Sequence, residues 1–508
     1  MKYTNPIIPG FYPDPSICKY KDIYYMVHST FQYFPGVTLF ESKDLINWTQ
    51  IGHVLTRESQ LPLEKAGRSG GIYAPTIRCH NGRFYMVTTN VSAFGNFYVW
   101  TDDIYGEWSE PVIVDQDGID PSLYFEDNIC YFMSNGTDEE GHSGIIQCEI
   151  DIETGKKLTP GRCIWKGTGG RYLEAPHLYK INGEYYILAA EGGTEYGHFI
   201  ICAKGKTPYG PFIDAPNNPI LTNRNLGGYE IQGCGHGDLI EDESGNWWMV
   251  HLAFRQIGLW NMFHITGRET CLVPVEFSED GWLLVGEQGT TPIEVETDRL
   301  PDNLHQDKRK LYTIENTSPG IEWCFLRAPD MKKYNFTGDT IELTATSKKL
   351  SDEYGSPTFT CIRQCEMVGK VSCLVALEEQ EAGITLYMDN MHHYDFFIKK
   401  TKEGTLIQKR ICIGDIAYIQ ESIPIENRDI AEVTLSIRMT PTNYFFEALY
   451  KDKIYDFGKN QTRYLSTEVA EGFTGVMIGL YAQSDEEDCV KPAIFKDFVY
   501  DLSYSSGE

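Results

Sequence analysis

Hydrophobic and polar positions repeat in one figure along the first part of the chain. Five segments carry it: DPSICKYKDIYYMV from Asp14, APTIRCHNGRFYMV from Ala74, DPSLYFEDNICYFM from Asp120, APHLYKINGEYYIL from Ala175 and GDLIEDESGNWWMV from Gly237. Each is an apolar run, a polar pair and an aromatic-rich apolar run. Asn81-Gly82 and Asn182-Gly183 fill the polar slot in two of them. Asn-Gly favours a type I′ hairpin turn, because both of its residues accept positive φ. Lys21-Asp22, Asp127-Asn128 and Ser244-Gly245 hold the same slot elsewhere. Each segment therefore predicts a strand, a tight turn and a second strand.

The segments start 46 to 62 residues apart, which leaves room for four strands in each unit. SKDLINW (Ser42–Trp48), TDDIYGEW (Thr101–Trp108) and TPYGPF (Thr207–Phe212) recur between them as outer-strand pieces. No stretch of this half sustains a helical apolar period. Five four-stranded units predict a five-bladed β-propeller over residues 1–295. Residues 296–315 are charged and carry proline, and they read as a linker. From 316 to 508, alternating runs such as TIELTAT, GITLYMD and EVTLSIRMT predict a β-sandwich. The chain is thus expected to be all-β.

Charge narrows the partners. Lys and Arg number 44 against 72 Asp and Glu, a net charge of −28 over 508 residues. That balance points away from nucleic acid, whose phosphates call for a basic surface, and from an anionic membrane. Aromatic residues reach 13%, which suits β-structure and sugar-stacking surfaces and excludes a mostly disordered chain. MKYTNPIIPGFYPDPS lacks the apolar core of a signal peptide, and no apolar run is long enough to cross a membrane. The fourteen cysteines are scattered, with no C-x-x-C. That pattern fits a reducing compartment, so a cytoplasmic location is expected.

The repeat itself points to a site. The innermost strand of each propeller blade lines the central channel, so residues at equivalent strand starts converge on the axis. Here those positions hold Asp14, Tyr73-Ala74, Asp120, Glu174-Ala175 and His236-Gly237. Taken singly they are unremarkable. An Asp before Pro is often only a turn residue, Glu174 before Ala-Pro suits a surface, and His236 between glycines could cap a strand. Taken together, three carboxylates and a histidine share one repeat phase. Crowded, desolvated acids shift one another's pKa values, which is how a general acid is separated from a general base. Two carboxylates flanking a scissile bond are the machinery of glycoside hydrolysis. Phe31, Tyr33, Phe34 and Tyr73 are aromatic candidates for the wall of a sugar pocket.

NPIIPGFYPDPSI, SGGIYAPTI, GIDPSLYF, YLEAPHLYK, AEGGT, GHGDLIED and GRETCLVPVEF, in this order, resemble the family 43 glycoside hydrolases. EWCFLRAPD, CIRQCE, EEQEAGITLYMD and FTGVMIGLYA resemble the branch of β-xylosidases and α-L-arabinofuranosidases with a C-terminal, concanavalin-like β-sandwich. The resemblance implies roles. Asp14 is then the general base, Glu174 the general acid and Asp120 the carboxylate that modulates pKa and orients. Arg268 binds sugar hydroxyls, and Phe31, Tyr73 and Thr194 line the pocket. Tyr73 stands where many relatives have Trp, which implies a smaller stacking surface. His236 is implied to help hold a hydrated calcium ion, and no organic cofactor is implied.

The resemblance further implies an exo-acting, inverting enzyme that releases xylose or arabinose from the non-reducing ends of short xylo- and arabino-oligosaccharides. Dominant α-L-arabinofuranosidase activity stays open as an alternative. An invertase-type propeller would need N-D-P-N-G, R-D-P and E-C, which the chain lacks. A non-catalytic carbohydrate-binding propeller would repeat the same residues in each blade, whereas the axial residues here differ. No nucleic-acid or membrane partner is expected, and a homo-oligomer is compatible with the sequence.

Overall fold

Asn81 (φ 52°) and Gly82 (φ 82°) turn Thr76–His80 back onto Arg83–Asn90. Asn182 (φ 53°) and Gly183 (φ 81°) do the same for Glu174–Ile181 and Glu184–Glu191. These hairpins are seen in a computed structural model that describes residues 1–301, 304–314, 320–426, 429–485 and 488–504. Five separate four-stranded antiparallel sheets are built this way, each from neighbouring strands of the chain. Their first strands are Ser16–Tyr20, Thr76–His80, Ser122–Glu126, Glu174–Ile181 and Ile231–Glu241. These strands pack against one another in a closed ring, the central channel of a five-bladed propeller.

The ring closes through the N-terminal segment. Lys2–Thr4 pairs with Glu294–Glu296, and the Asn5 side chain exchanges hydrogen bonds with the Leu272 backbone. Asp238 of the fifth blade accepts from Ser16 Oγ (2.7 Å) and the Ile17 amide (3.0 Å) of the first. Between blades, apolar side chains from facing sheets interlock. Val27, Leu39, Phe84 and Met86 do so between blades one and two. Burying each side chain contributes about 1.5–3 kcal/mol.

Beyond the propeller, two eight-stranded sheets form the sandwich. Ala431–Met439 alternates buried with more exposed positions, and Val371, Ile384, Phe396 and Leu435 meet in the core between the sheets. Two features depart from the sequence reading. Leu311–Thr313 falls in the stretch read as linker but pairs with Val499–Asp501, so the sandwich begins inside that stretch. Tyr312 stacks on Tyr500 there (5.6 Å between centroids), which gives an otherwise charged segment its apolar anchor. The expected boundary at 315/316 lies outside the described residues. Secondly, Tyr33–Phe34 of the first blade pairs with Cys324–Leu326 and extends a sandwich sheet. These two aromatics join the domains and are not part of a pocket wall. No helix among the described residues is long and apolar enough to cross a membrane.

Candidate active site

Asp14 (φ 55°), Asp120 (φ 55°) and Ala175 (φ 55°), at the head of an inner strand, and His236 (φ 49°), in the middle of one, all occupy the left-handed backbone region. That conformation costs a residue with a Cβ about 1–2 kcal/mol, and such strain concentrates at functional sites. In blades one and three the left-handed residue is the carboxylate itself. In blade four it is Ala175, and Glu174 stands one residue earlier, across a register shift between Glu174 and His177. Glu174 thus leaves its blade at a different point from the two aspartates. His236 likewise sits within a shift between Gly235 and Asp238.

All eight residues expected at the site line one cavity of about 50 Å³: Asp14, Phe31, Tyr73, Asp120, Glu174, Thr194, His236 and Arg268. A much larger cleft of about 540 Å³ runs beside the linker. Two of its acids are already paired, Glu366 with Arg255 (2.7 Å) and Glu322 with Arg309 (2.6 Å). Chemistry and not size therefore selects the smaller cavity.

The two aspartates look alike in sequence, and their surroundings push their carboxyls in opposite directions. Asp14 accepts from Ser29 Oγ (2.5 Å) and Arg268 Nη1 (2.8 Å), with His236 Nδ1 at 3.7 Å. Burial pushes its carboxyl up, but Arg268, His236 and the Ser29 hydrogen bond outweigh that and hold it below the usual range. Asp14 is therefore ionised at neutral pH. Asp120 is pushed well above the usual range by burial, then by the facing Glu174 and Asp14. Its hydrogen bond from the Ala175 amide and the pull of Arg268 do not offset this. That amide belongs to the residue after Glu174, so Asp120 also ties down the strand that carries the third acid. Glu174 is half-buried, with His198 Nε2 3.5 Å from Oε1.

Arg268 is buried and holds three neighbours at once. Nη1 donates to Asp14 and to Thr194 Oγ1 (3.0 Å), and Nη2 donates to the Phe473 carbonyl (3.2 Å). Its buried Nε has no partner among the described residues. The neighbouring Glu269 is occupied by Arg255 and the Gly10 amide, so it does not compete for Arg268. Phe473 comes from the sandwich and stacks on Phe31 (5.8 Å, 29°). Sequence reasoning missed it. A usable signal lay in the EGFTG stretch, because a Cβ at Gly475 would lie 2.5 Å from the Thr266 carbonyl. The glycine lets the sandwich lie directly on the loop that carries Arg268.

On one side of His236 the channel holds a fixed cation, beside the place where the sequence implied a calcium ion. Arg78 grips both oxygens of Asp238 (2.8 and 3.1 Å) and donates to His177 Nδ1 (3.0 Å). A guanidinium only donates, so His177 carries its hydrogen on Nε2. That atom is buried without a partner among the described residues, and the His177 and His236 rings lie 6.2 Å apart. Calcium takes about six to eight oxygens, and its bound waters turn their hydrogens outward toward acceptors. On its Arg78 side the channel presents an N–H and a resident cation, and on the other the Asp14 carboxylate lies 3.7 Å from His236 Nδ1. Among the described residues no group of three or more His, Cys, Asp or Glu is arranged to hold a metal.

A family model described as glycosyl hydrolases family 43 matches residues 3–283. A second, described as a beta xylosidase C-terminal concanavalin A-like domain, matches residues 314–501. A non-reducing end alpha-L-arabinofuranosidase of Bacteroides ovatus is 36% identical over 508 residues, spanning 98% of this chain and 94% of that one. A xylosidase/arabinosidase of Butyrivibrio fibrisolvens is 38% identical over 507 residues, spanning 95% and 96%. The solved structure of a xylan beta-1,4-xylosidase of Bacillus halodurans matches with a TM-score of 0.90 at 30% identity, covering 98% of this chain and 99% of that chain.

Proposed function

The chain belongs to glycosyl hydrolase family 43, and from that premise we propose that it removes single xylose or arabinose units from the non-reducing ends of short oligosaccharides, with inversion. The observation that carries this reading is the split between Asp14 and Asp120. One cavity holds an aspartate whose carboxyl is held low, another whose carboxyl is pushed well up, and the partly exposed Glu174. The choice of pentose rests on the two relatives, one named for arabinofuranoside cleavage and the other for both activities.

Ionised Asp14 takes a proton from water, whose oxygen attacks the anomeric carbon. The bond from that carbon to the leaving oxygen breaks, and protonated Glu174 supplies the hydrogen that oxygen needs. Asp120 does not react. Its bond from the Ala175 amide steadies the strand that carries Glu174. Arg268, fixed by Asp14 and Thr194, lines the pocket with a guanidinium that can donate to sugar hydroxyls. Phe31, Tyr73 and Phe473 form an aromatic wall on which a terminal pentose stacks. No step in this scheme passes through a metal. Fourteen cysteines, none in a disulfide, fit work in the cytoplasm on imported oligosaccharides.

Proton NMR of freshly cleaved xylobiose tests the scheme. The new sugar should appear first as the α-anomer, and initial β-xylose would overturn inversion. Rates on aryl β-xyloside and aryl α-L-arabinofuranoside, measured side by side, decide which pentose is preferred.

A further inference from the structure

Glu191 closes the AEGGT motif's first half and is fully buried, with no cationic partner among the described residues. A buried carboxylate is costly unless hydrogen bonds replace its water. Here a single loop supplies them all. Oε1 accepts from the Thr168 amide (2.8 Å), and Oε2 from Thr168 Oγ1 (2.6 Å) and the Gly170 amide (3.1 Å). The loop is shaped around the carboxylate. A Cβ at Gly167 would lie 2.2 Å from Oε1, and one at Gly170 would lie 2.6 Å from Oε2. Side chains at either position would expel Glu191.

That loop leads into the third acid. Four residues after Gly170 the chain reaches Glu174, which pairs with Ala190, the residue before Glu191. Between them the Gly192 amide donates to the Arg171 carbonyl (2.8 Å), and Arg171 Nε donates to the Gly192 carbonyl (3.0 Å). Tyr172 is left-handed (φ 55°), with its ring against Gly193. The segment 167–174 is therefore pinned along 190–193, and Glu191 holds its outer end. Just downstream, Thr194 accepts from Arg268. One buried carboxylate thus links the strand start of Glu174 to the rim of the sugar pocket.

We propose that Glu191 is a positioning residue for proton delivery, setting where the Glu174 carboxyl meets the leaving oxygen. The inference rests on the reading of Glu174 as the general acid. Acid catalysis is sensitive to placement, and a displacement near 1 Å can cost about 100-fold. Such a loss falls on substrates whose leaving group needs a proton and spares those whose leaving group departs unaided. A purely structural role would lower the active fraction and reduce both equally.

The test compares xylobiose with 2,4-dinitrophenyl β-xyloside for Glu191→Gln, Thr168→Val and, as control, Glu174→Gln. Glutamine fills the same space, keeps the bond from the Thr168 amide and opposes the Gly170 amide with its own N–H. Glu191→Gln should lose roughly tenfold to 100-fold in kcat on xylobiose and little on the dinitrophenyl glycoside. Thr168→Val removes one of the three bonds from the other side, without touching the carboxylate, and should shift the ratio the same way by less. Equal losses on both substrates, or no loss on either, overturn the proposal. If Glu174→Gln itself shows no leaving-group dependence, the acid assignment is what fails.

Discussion

Arg268 Nη1 donates to Asp14 Oδ1 at 2.8 Å, and both side chains are buried. In the proposed scheme the contact joins two tasks, since the guanidinium that would bind the sugar also holds down the carboxyl of the base. Asp14 has to be ionised to work, so kcat/KM falls as pH drops through its pKa. Removing Arg268 takes away the largest influence lowering that pKa. Arg268→Ala should move the acid limb of the kcat/KM profile to higher pH, and Arg268→Lys should move it much less. An unmoved limb in Arg268→Ala would separate the two tasks.

The same pair bears on stability. Breaking a buried ion pair from one side leaves an uncompensated charge, at about 3–5 kcal/mol. Arg268→Ala should therefore lower the melting temperature, and Asp14→Asn combined with Arg268→Ala should recover most of the loss. Thermal melts of the two single variants and the double variant, taken at pH 7, measure the coupling.

Glu174 and Asp14 should be distinguishable by leaving group. Glu174→Gln is expected to lose about 10²–10⁴-fold on xylobiose and far less on a dinitrophenyl glycoside. Asp14→Asn should fail on both alike, because water must be activated whatever leaves. Equal deficits in the two variants on both substrates would contradict this division of labour.

Asp120 should be a site where activity opposes stability. Its carboxyl is pushed above the ordinary value of 3.8, largely by burial. Above pH 3.8 the unfolded chain ionises there freely while the folded one holds its proton. Folding therefore loses stability as pH rises from 3.8 toward the raised pKa. Asp120→Asn removes that penalty. The variant should be much less active, and its gain in melting temperature should be larger at pH 7 than at pH 4. A gain independent of pH would mean that Asp120 is not protonated in the fold.

Arg78 already supplies a positive charge beside Asp238 and His177. Exhaustive chelation, and then millimolar calcium, should leave both melting temperature and kcat unchanged. Arg78→Met strands the buried Asp238 and should cost about 3–5 kcal/mol. A calcium-dependent rise in the melting temperature of the unaltered protein would reverse this reading of the channel.

Phe473 should contribute binding more than rate. Its carbonyl, which holds Arg268, survives in Phe473→Ala, and only the ring stacked on Phe31 is lost. An interaction shared by ground and transition states changes KM alone. KM for xylobiose should rise while kcat stays within about twofold. A parallel fall in kcat would place the ring's contribution in the transition state.

The propeller could be read from the sequence because its information is local. A hairpin declares itself in about a dozen residues through paired apolar runs and a turn such as Asn81-Gly82, and the five copies set a common phase. That phase sets Asp14, Tyr73, Asp120, Glu174 and His236 on one axis, aromatic character adds Phe31, and motif likeness adds Arg268 and Thr194. What the sequence left undecided depends on approach between distant segments. Asp14 and Asp120 share the D-P-S pattern, and only the surrounding charges hold one carboxyl low and push the other up. Phe473 reaches a pocket whose other residues end at Arg268, because two domains pack face to face. Leu311–Thr313 reads as linker until the far strand Ala493–Asp501 gives its backbone a partner. Arg78 looks like an ordinary exposed strand residue until Asp238, 160 positions on, closes around it. Turn preference and apolar alternation are written within a few residues. Charge state, cation placement and the wall of the pocket follow from which side chains meet once the ring and the sandwich have closed.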